Sequence, residues 1–146
     1  MRGSCLCGGV VFEVTEVLGP FELCHCSRCR KASGSAFVAG LGVSTHGYRL
    51  VSGRELIRVF EAPILVSPPA YTRHFCTRCG CMVPPAEPEG DWLEIPAGLL
   101  DDDPGTHPDK HICVDHAAAW YREVDALPRY TLQEVVAHRR AASSPC

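Results

Sequence analysis

Residues 73–85 read RHFCTRCGCMVPP, and the five residues CTRCG at 76–80 within them decide how the chain is tied together. Cys76-Thr77-Arg78-Cys79-Gly80 has the C-x-x-C-G form of a zinc knuckle. A tight turn there brings two thiolates together, and the glycine permits a positive φ that lets backbone N–H groups face sulfur. A tetrahedral site needs four ligands, and Cys5-Leu6-Cys7 offers the other two. On an extended backbone residues i and i+2 point to one face, so both sulfurs can approach one ion. Cys5, Cys7, Cys76 and Cys79 then make a structural zinc site that ties the N-terminus to the middle of the chain. Metal binding of this kind contributes about 10–16 kcal/mol in small zinc domains.

Working outward, residues 24–29 read CHCSRC and hold three more thiols, Cys24, Cys26 and Cys29. Three thiolates around zinc leave a negatively charged centre, a weaker Lewis acid than a three-histidine zinc and poorly suited to activating water. Such a centre suits a fourth, exchangeable thiolate kept deprotonated yet nucleophilic, and catalytic zinc sites keep one such position free. The rival is a closed second structural site completed by His25, Cys81 or Cys113. His25 is the weakest of these, because an extended backbone points it away from its neighbours. Cys81 sits beside the knuckle, and Cys113, between Ile112 and Val114, reads as core. Arg28, Arg30 and Lys31 would stabilise the charged centre or attract a carboxylate-bearing thiol; a solvated face explains them equally well.

The chain of 146 residues has 46% hydrophobic and 21% charged residues, ordinary usage for one globular domain over 1–146. Ten cysteines are the anomaly. Disulfides are disfavoured, because Cys5 and Cys7, like Cys24 and Cys26, are too close in sequence for good bridge geometry. Buried free thiols are the plainer alternative to metal ligation, since cysteine is among the most buried residue types. Cys146 is terminal and reads as exposed. The net charge of −3 gives no basic field for nucleic acid, and the runs CRK at 29–31 and HRR at 138–140 read as solvated. Asp101 to Asp103 before Pro104 form a polar turn and lack the alternation of a calcium loop. No apolar stretch is long enough to span a membrane, and MRGSCLCGG lacks a signal-like h-region, so the expected setting is cytoplasmic.

Most of the sequence reads as strand: VVFEV at 10–14, FEL at 21–23, SAFVAGLGV at 35–43 and DWLEIPAGLL at 91–100. YRLVSGRELIRVFEA at 48–62 reads as two strands of a hairpin around Ser52-Gly53. The proline-broken PILVSPPAY at 63–71 reads as loop. SRCRKAS at 27–33 holds one or two helical turns with Ser27 as N-cap, and QEVVAHRRA at 133–141 a short terminal helix. One mainly-β domain with short helical insertions results, its core over about 3–130 and its tail over 131–146.

The ordered pieces CLCGGVVFEV, CHCSRCRKASGSAF, RHFCTRCG, HICVDHAAAWY and DALPRY resemble the motifs of the glutathione-dependent formaldehyde-activating enzyme family, from Gly3 to Tyr130. The resemblance implies a β-tent of antiparallel sheets stapled by two zinc ions per chain. Carried over by position, its structural zinc falls on Cys5, Cys7, Cys76 and Cys79, and its catalytic zinc on Cys24, Cys26 and Cys29. The implied activity is that of a zinc-dependent carbon–sulfur lyase, with glutathione adding to formaldehyde to give S-(hydroxymethyl)glutathione. The partners implied are thus a small thiol and an aldehyde, without nucleic acid or membrane. Cys81 departs from the family pattern, which has a small hydroxyl residue after the knuckle glycine.

On this reading a substrate thiol binds the three-cysteine zinc, loses its proton and attacks a carbonyl carbon; the reverse direction splits a hemithioacetal. The turn Ser33-Gly34-Ser35 could offer N–H groups to a carboxylate or oxyanion, and His74 could move a proton, though a simple turn and a surface histidine are the plainer readings. The alternative function is a non-enzymatic zinc module for protein interaction, with both zinc sites closed. A methionine-sulfoxide reductase ranks last, because Cys81, Cys113 and Cys146 lack an activating context.

Overall fold

A computed structural model describes residues 1–64 and 70–142. The loop expected at 63–71 lies largely outside them, as does Cys146. The described residues form ten strands in three sheets, with two short α-helices and three 3-10 turns. The strands are β1 (Arg2–Ser4), β2 (Val11–Val14), β3 (Val17–Cys24), β4 (Val38–Ser44), β5 (Tyr48–Ser52), β6 (Ile57–Glu61), β7 (Thr72–Cys76), β8 (Trp92–Pro96), β9 (Lys110–Ile112) and β10 (Arg129–Tyr130). The helices are α1 (Ser27–Ser33) and α2 (Leu132–Ala142). The chain divides into two compact units, one made of Met1–Gly19 with Leu41–Thr106, the other of Pro20–Gly40 with the residues from His107 on.

In the first unit, β1 pairs antiparallel with β2, and β2 with β5. Val11, Phe12 and Val14 are buried, and the Phe12 ring lies 6.0 Å from that of Tyr48. A register shift between Val11 and Phe12 leaves Val51 as the extra residue of a bulge opposite them. The hairpin expected at 48–62 does not form. Gly53 takes a φ of 87°, the 3-10 turn Arg54–Leu56 follows, and the chain turns away so that β6 pairs with β7. β5 finds a partner remote in sequence and β6 pairs with the next strand, neither of which a turn signal at Ser52-Gly53 reveals. Cys5, Val10, Ile57, Cys76 and Val83 form a buried cluster, against which Leu50, Leu56, Cys79, Cys81 and Ala86 pack.

In the second unit, β9 pairs parallel with both β3 and β10. The antiparallel sheets that the motifs imply are therefore joined by parallel pairings here. Long connections precede β9 and β10, and parallel neighbours require such crossovers. Helix α2 opens with a capping box: the Thr131 hydroxyl accepts from Glu134 N at 3.3 Å, and the Glu134 carboxylate accepts from Thr131 N at 2.7 Å. Val135 on α2 is buried with Ile112 and Cys113, and Cys24, Cys26 and Tyr130 pack on that cluster. This core holds the CHC segment in place.

Candidate metal centres

Cys5 leaves β1 into a tight turn, in which Gly8 N donates to Cys5 O at 2.8 Å. The Cys5–Cys7 pair is thus brought together by a turn rather than by the extended backbone expected from its spacing. Their sulfurs are 3.5 Å apart. Cys76 ends β7, and Gly80, at a φ of 74°, donates its N–H to Cys76 O at 2.8 Å to close the knuckle. The strand then doubles back, with Cys76 N donating to Cys81 O and Val83 N to His74 O. Cys7 and Cys76 bring their sulfurs to 3.9 Å. All four sulfurs lie within 4.8 Å of one another, and the set could hold a metal ion. Tetrahedral zinc with bonds of about 2.3 Å places sulfurs about 3.8 Å apart, so the donor set fits.

Backbone amides face these sulfurs, as a thiolate requires. Val10 N donates to Cys5 Sγ at 3.3 Å, and the Cys81 N–H, helped by neighbouring thiols, draws the Cys79 thiol down to about 6. Cys81 itself accepts from Leu6 N at 3.4 Å. Its sulfur is thus engaged beside the first set, where Cys81 packs against the cluster that holds Cys5 and Cys76.

Cys24, Cys26 and Cys29 form a separate set, again with every sulfur within 4.8 Å of the others. Cys24 ends β3, paired with Ile112 of β9. Cys26, rather than Ser27, caps α1: its sulfur accepts from Cys29 N at 3.3 Å, the role a hydroxyl usually fills. Cys29 rides the first turn of that helix. The three thiols share one proton economy. Cys113 pulls the Cys24 thiol up, yet Cys26 and Cys29 outweigh it and leave Cys24 below its ordinary value. Cys24 and Cys26 in turn push the Cys29 thiol far up. Three sulfurs this close cannot all be ionised without a cation among them, and a divalent ion would remove that conflict.

Cys113 is buried beside Cys24 and Cys26, with a φ of 57°. It is core, as expected, and also a neighbour of the three-sulfur set. The Ser33-Gly34-Ser35 turn has no spare amides: Gly34 N donates to Arg30 O and Ser35 N to the Ser33 hydroxyl. Arg30 Nε donates to His25 O at 3.3 Å, holding the loop that carries Cys24 and Cys26. His74 belongs to neither sulfur set, and burial lowers its affinity for a proton.

His25 turns away from the sulfurs, as its place between Cys24 and Cys26 suggested. It is fully buried and meets His111, with Glu123 and Asp125 close by. Sequence reasoning missed this group, since 86 positions separate the two histidines and no local motif links them.

No helix among the described residues is long and apolar enough to cross a membrane. The family model described as "Glutathione-dependent formaldehyde-activating enzyme" matches residues 1–116. A protein of Halomonas elongata, provisionally named as a glutathione-dependent formaldehyde-activating enzyme, is 33% identical over 128 residues, which cover 82% of this chain and 78% of that protein. A crystal structure of a Rhodobacter sphaeroides protein, a structural-genomics target, superposes with a TM-score of 0.51 at 22% identity. That match covers 88% of this chain and 99% of the other, and the likeness concerns the fold alone.

Proposed function

The chain belongs to the glutathione-dependent formaldehyde-activating enzyme family, and on that premise we propose that it is a carbon–sulfur lyase joining a small thiol to an aldehyde. Glutathione and formaldehyde are the pair to which the family name points. Cys5, Cys7, Cys76 and Cys79 would hold a structural zinc, and Cys24, Cys26 and Cys29 a reactive one. The observation that carries this reading is the inequality of the two sets, four gathered sulfurs in one and three in the other. Zinc in the three-sulfur site would supply a position at which a thiol stays deprotonated near neutral pH.

The chain's own residues prepare that position. Strand pairing fixes Cys24, the cap bond fixes Cys26, and the helix carries Cys29, so the three sulfurs are set before any substrate arrives. Arg28, Arg30 and Lys31 on α1 add positive charge suited to the carboxylates of a peptide-like thiol. The β-tent arrangement implied by the motifs, and a cytoplasmic setting that keeps ten cysteines reduced, belong to the same proposal.

The test is carbon-13 NMR of labelled formaldehyde mixed with glutathione, which reads the exchange rate of the hydroxymethyl adduct. Protein holding two zinc ions should accelerate the exchange, and chelated protein should not. Absence of any thiol- and metal-dependent acceleration removes the proposal. A second reading draws on Cys113, which is buried against Cys24 and whose thiol shifts the proton affinity of the Cys24 thiol. If Cys113 completed the second site, the protein would be a non-enzymatic module with two closed zinc centres.

A further inference from the structure

The second unit holds a constellation that the cysteine chemistry does not use. His25 Nε2 stands 2.8 Å from His111 Nδ1, and both rings are fully buried. His111 Nε2 lies 3.0 and 3.1 Å from the two carboxylate oxygens of Asp125, so it carries a proton and donates it. That leaves His111 Nδ1 with its lone pair turned toward His25. Glu123 Oε1 approaches His25 Nε2 to 3.9 Å, and the three donor atoms all lie within 4.8 Å of one another.

We propose that His25, His111 and Glu123 form a third metal site, which takes a borderline divalent transition ion and is separate from both cysteine sets. Bonds of about 2.0–2.1 Å from nitrogen put adjacent corners of a right-angled coordination sphere about 2.9 Å apart, close to the spacing of the two rings. Imidazole with one carboxylate suits zinc, iron, cobalt or nickel, and too few oxygens are present for calcium or magnesium. Asp125 supplies the carboxylate that commonly fixes the tautomer and ring orientation of a metal-binding histidine. The rings of Phe37 and Tyr121, 5.5 and 5.6 Å from that of His25, hold it against rotation.

Charge and access agree with this assignment. Arg129 Nε lies 4.0 Å from Glu123 Oε2, the oxygen other than the one nearest His25. Arg129 also donates to the carbonyls of Leu127 and Asp125 and lies 3.9 Å from Asp125 Oδ1. Glu123 is one-fifth exposed, which opens a route for the ion and for water ligands. A divalent ion displaces the proton that His25 Nε2 and His111 Nδ1 share and sits to one side of the line joining them, its charge balanced by Glu123 and Asp125. Both carboxylates fall after residue 116, where the family match ends, and no sulfur atom enters the argument.

The test uses the full-length protein brought to two zinc ions per chain, enough for the two cysteine sets alone, then dialysed against cobalt(II) and followed by metal analysis and absorption spectroscopy. One cobalt should bind per chain with no loss of zinc, giving visible bands without near-ultraviolet sulfur-to-cobalt charge transfer. Glu123→Gln, at a partly exposed position, should weaken that binding tenfold or more. Asp125→Asn should weaken it by about 10–100-fold, the usual effect of losing such a support. Cobalt that binds only by displacing zinc, or binds equally well to wild type and to Glu123→Gln, overturns the proposal. Because neither substitution empties the buried core, the result does not depend on a His111 variant that folds.

Discussion

The sulfurs of Cys7 and Cys76 stand 3.9 Å apart, although 69 positions separate the residues along the chain. A contact so remote in sequence closes a long loop, and metal binding shared across it becomes folding free energy. Cys76→Ser should therefore lower zinc content by one ion per chain and lower the thermal midpoint sharply, while a strong chelator should do the same to wild type. Calorimetry paired with metal analysis checks both.

Cys29 contributes to a different set, and its loss has a different expected signature. Cys29→Ser should remove the second metal and cut adduct exchange by about a hundredfold or more, the scale of losing an essential active-site group. The thermal midpoint should fall less than in Cys76→Ser. A matched pair of NMR exchange and melting measurements separates the two effects. Cys81→Ser should leave exchange near wild type, because the Cys81 sulfur is engaged with Leu6 N and a hydroxyl can accept the same bond.

Gly53 marks the point where the chain leaves β5 and turns toward β6. At a φ of 87°, an added Cβ would meet the Gly9 carbonyl oxygen at 2.3 Å, and both atoms are held by backbone. Gly53→Ala should cost about 1–3 kcal/mol in denaturant unfolding. Gly34→Ala is the control: its φ of 67° carries strain, yet nothing lies within 4 Å of the new methyl. It should cost about 1 kcal/mol.

The cap of α2 is sensitive to acid. The Thr131 N–H, and then its hydroxyl, hold the Glu134 carboxyl below its ordinary value of 4.5. A carboxylate depressed on folding stabilises the fold above its unfolded value and loses that contribution as pH falls through the folded one. Helicity of α2 should accordingly hold down to about pH 4.5 and fray below it. Glu134→Gln keeps a capping-box acceptor without a titrating charge, so the helix end should be equally protected at neutral and acid pH. Amide exchange at Val135 and Val136 reads the difference.

The grouping of Cys5, Cys7, Cys76 and Cys79 was legible because C-x-C and C-x-x-C-G are short-range signals, and the donors of two half-sites add up to a tetrahedron. The same holds for the Cys24, Cys26 and Cys29 set, and for the strands at 11–14, 38–44 and 92–96, whose composition is local information. The partners of β5 and β6 were not legible, since strand pairing is decided by burial across the whole unit and Ser52-Gly53 is equally compatible with a hairpin. Nor were the parallel pairings of β9. Thr131 and Glu134 spelled a capping box that could have been read from their spacing, whereas a cysteine cap on α1 breaks the usual preference for a hydroxyl. His25 and His111 meet only because β3 and β9 pair, with Leu23 opposite His111 and Cys24 opposite Ile112. That register lies outside any local pattern.

The central claim is that the second cysteine set has three protein sulfurs and a place for a substrate thiol. Cadmium-113 NMR of protein loaded with two cadmium ions measures this directly, because the shift of each ion reports how many sulfurs surround it. An open second site gives one resonance typical of four sulfurs and one typical of three, and glutathione moves only the latter toward the four-sulfur position. Two four-sulfur resonances without added thiol, neither moved by glutathione, would contradict it. Loss of one of those two resonances in Cys113→Ser would then identify the residue that closes the site.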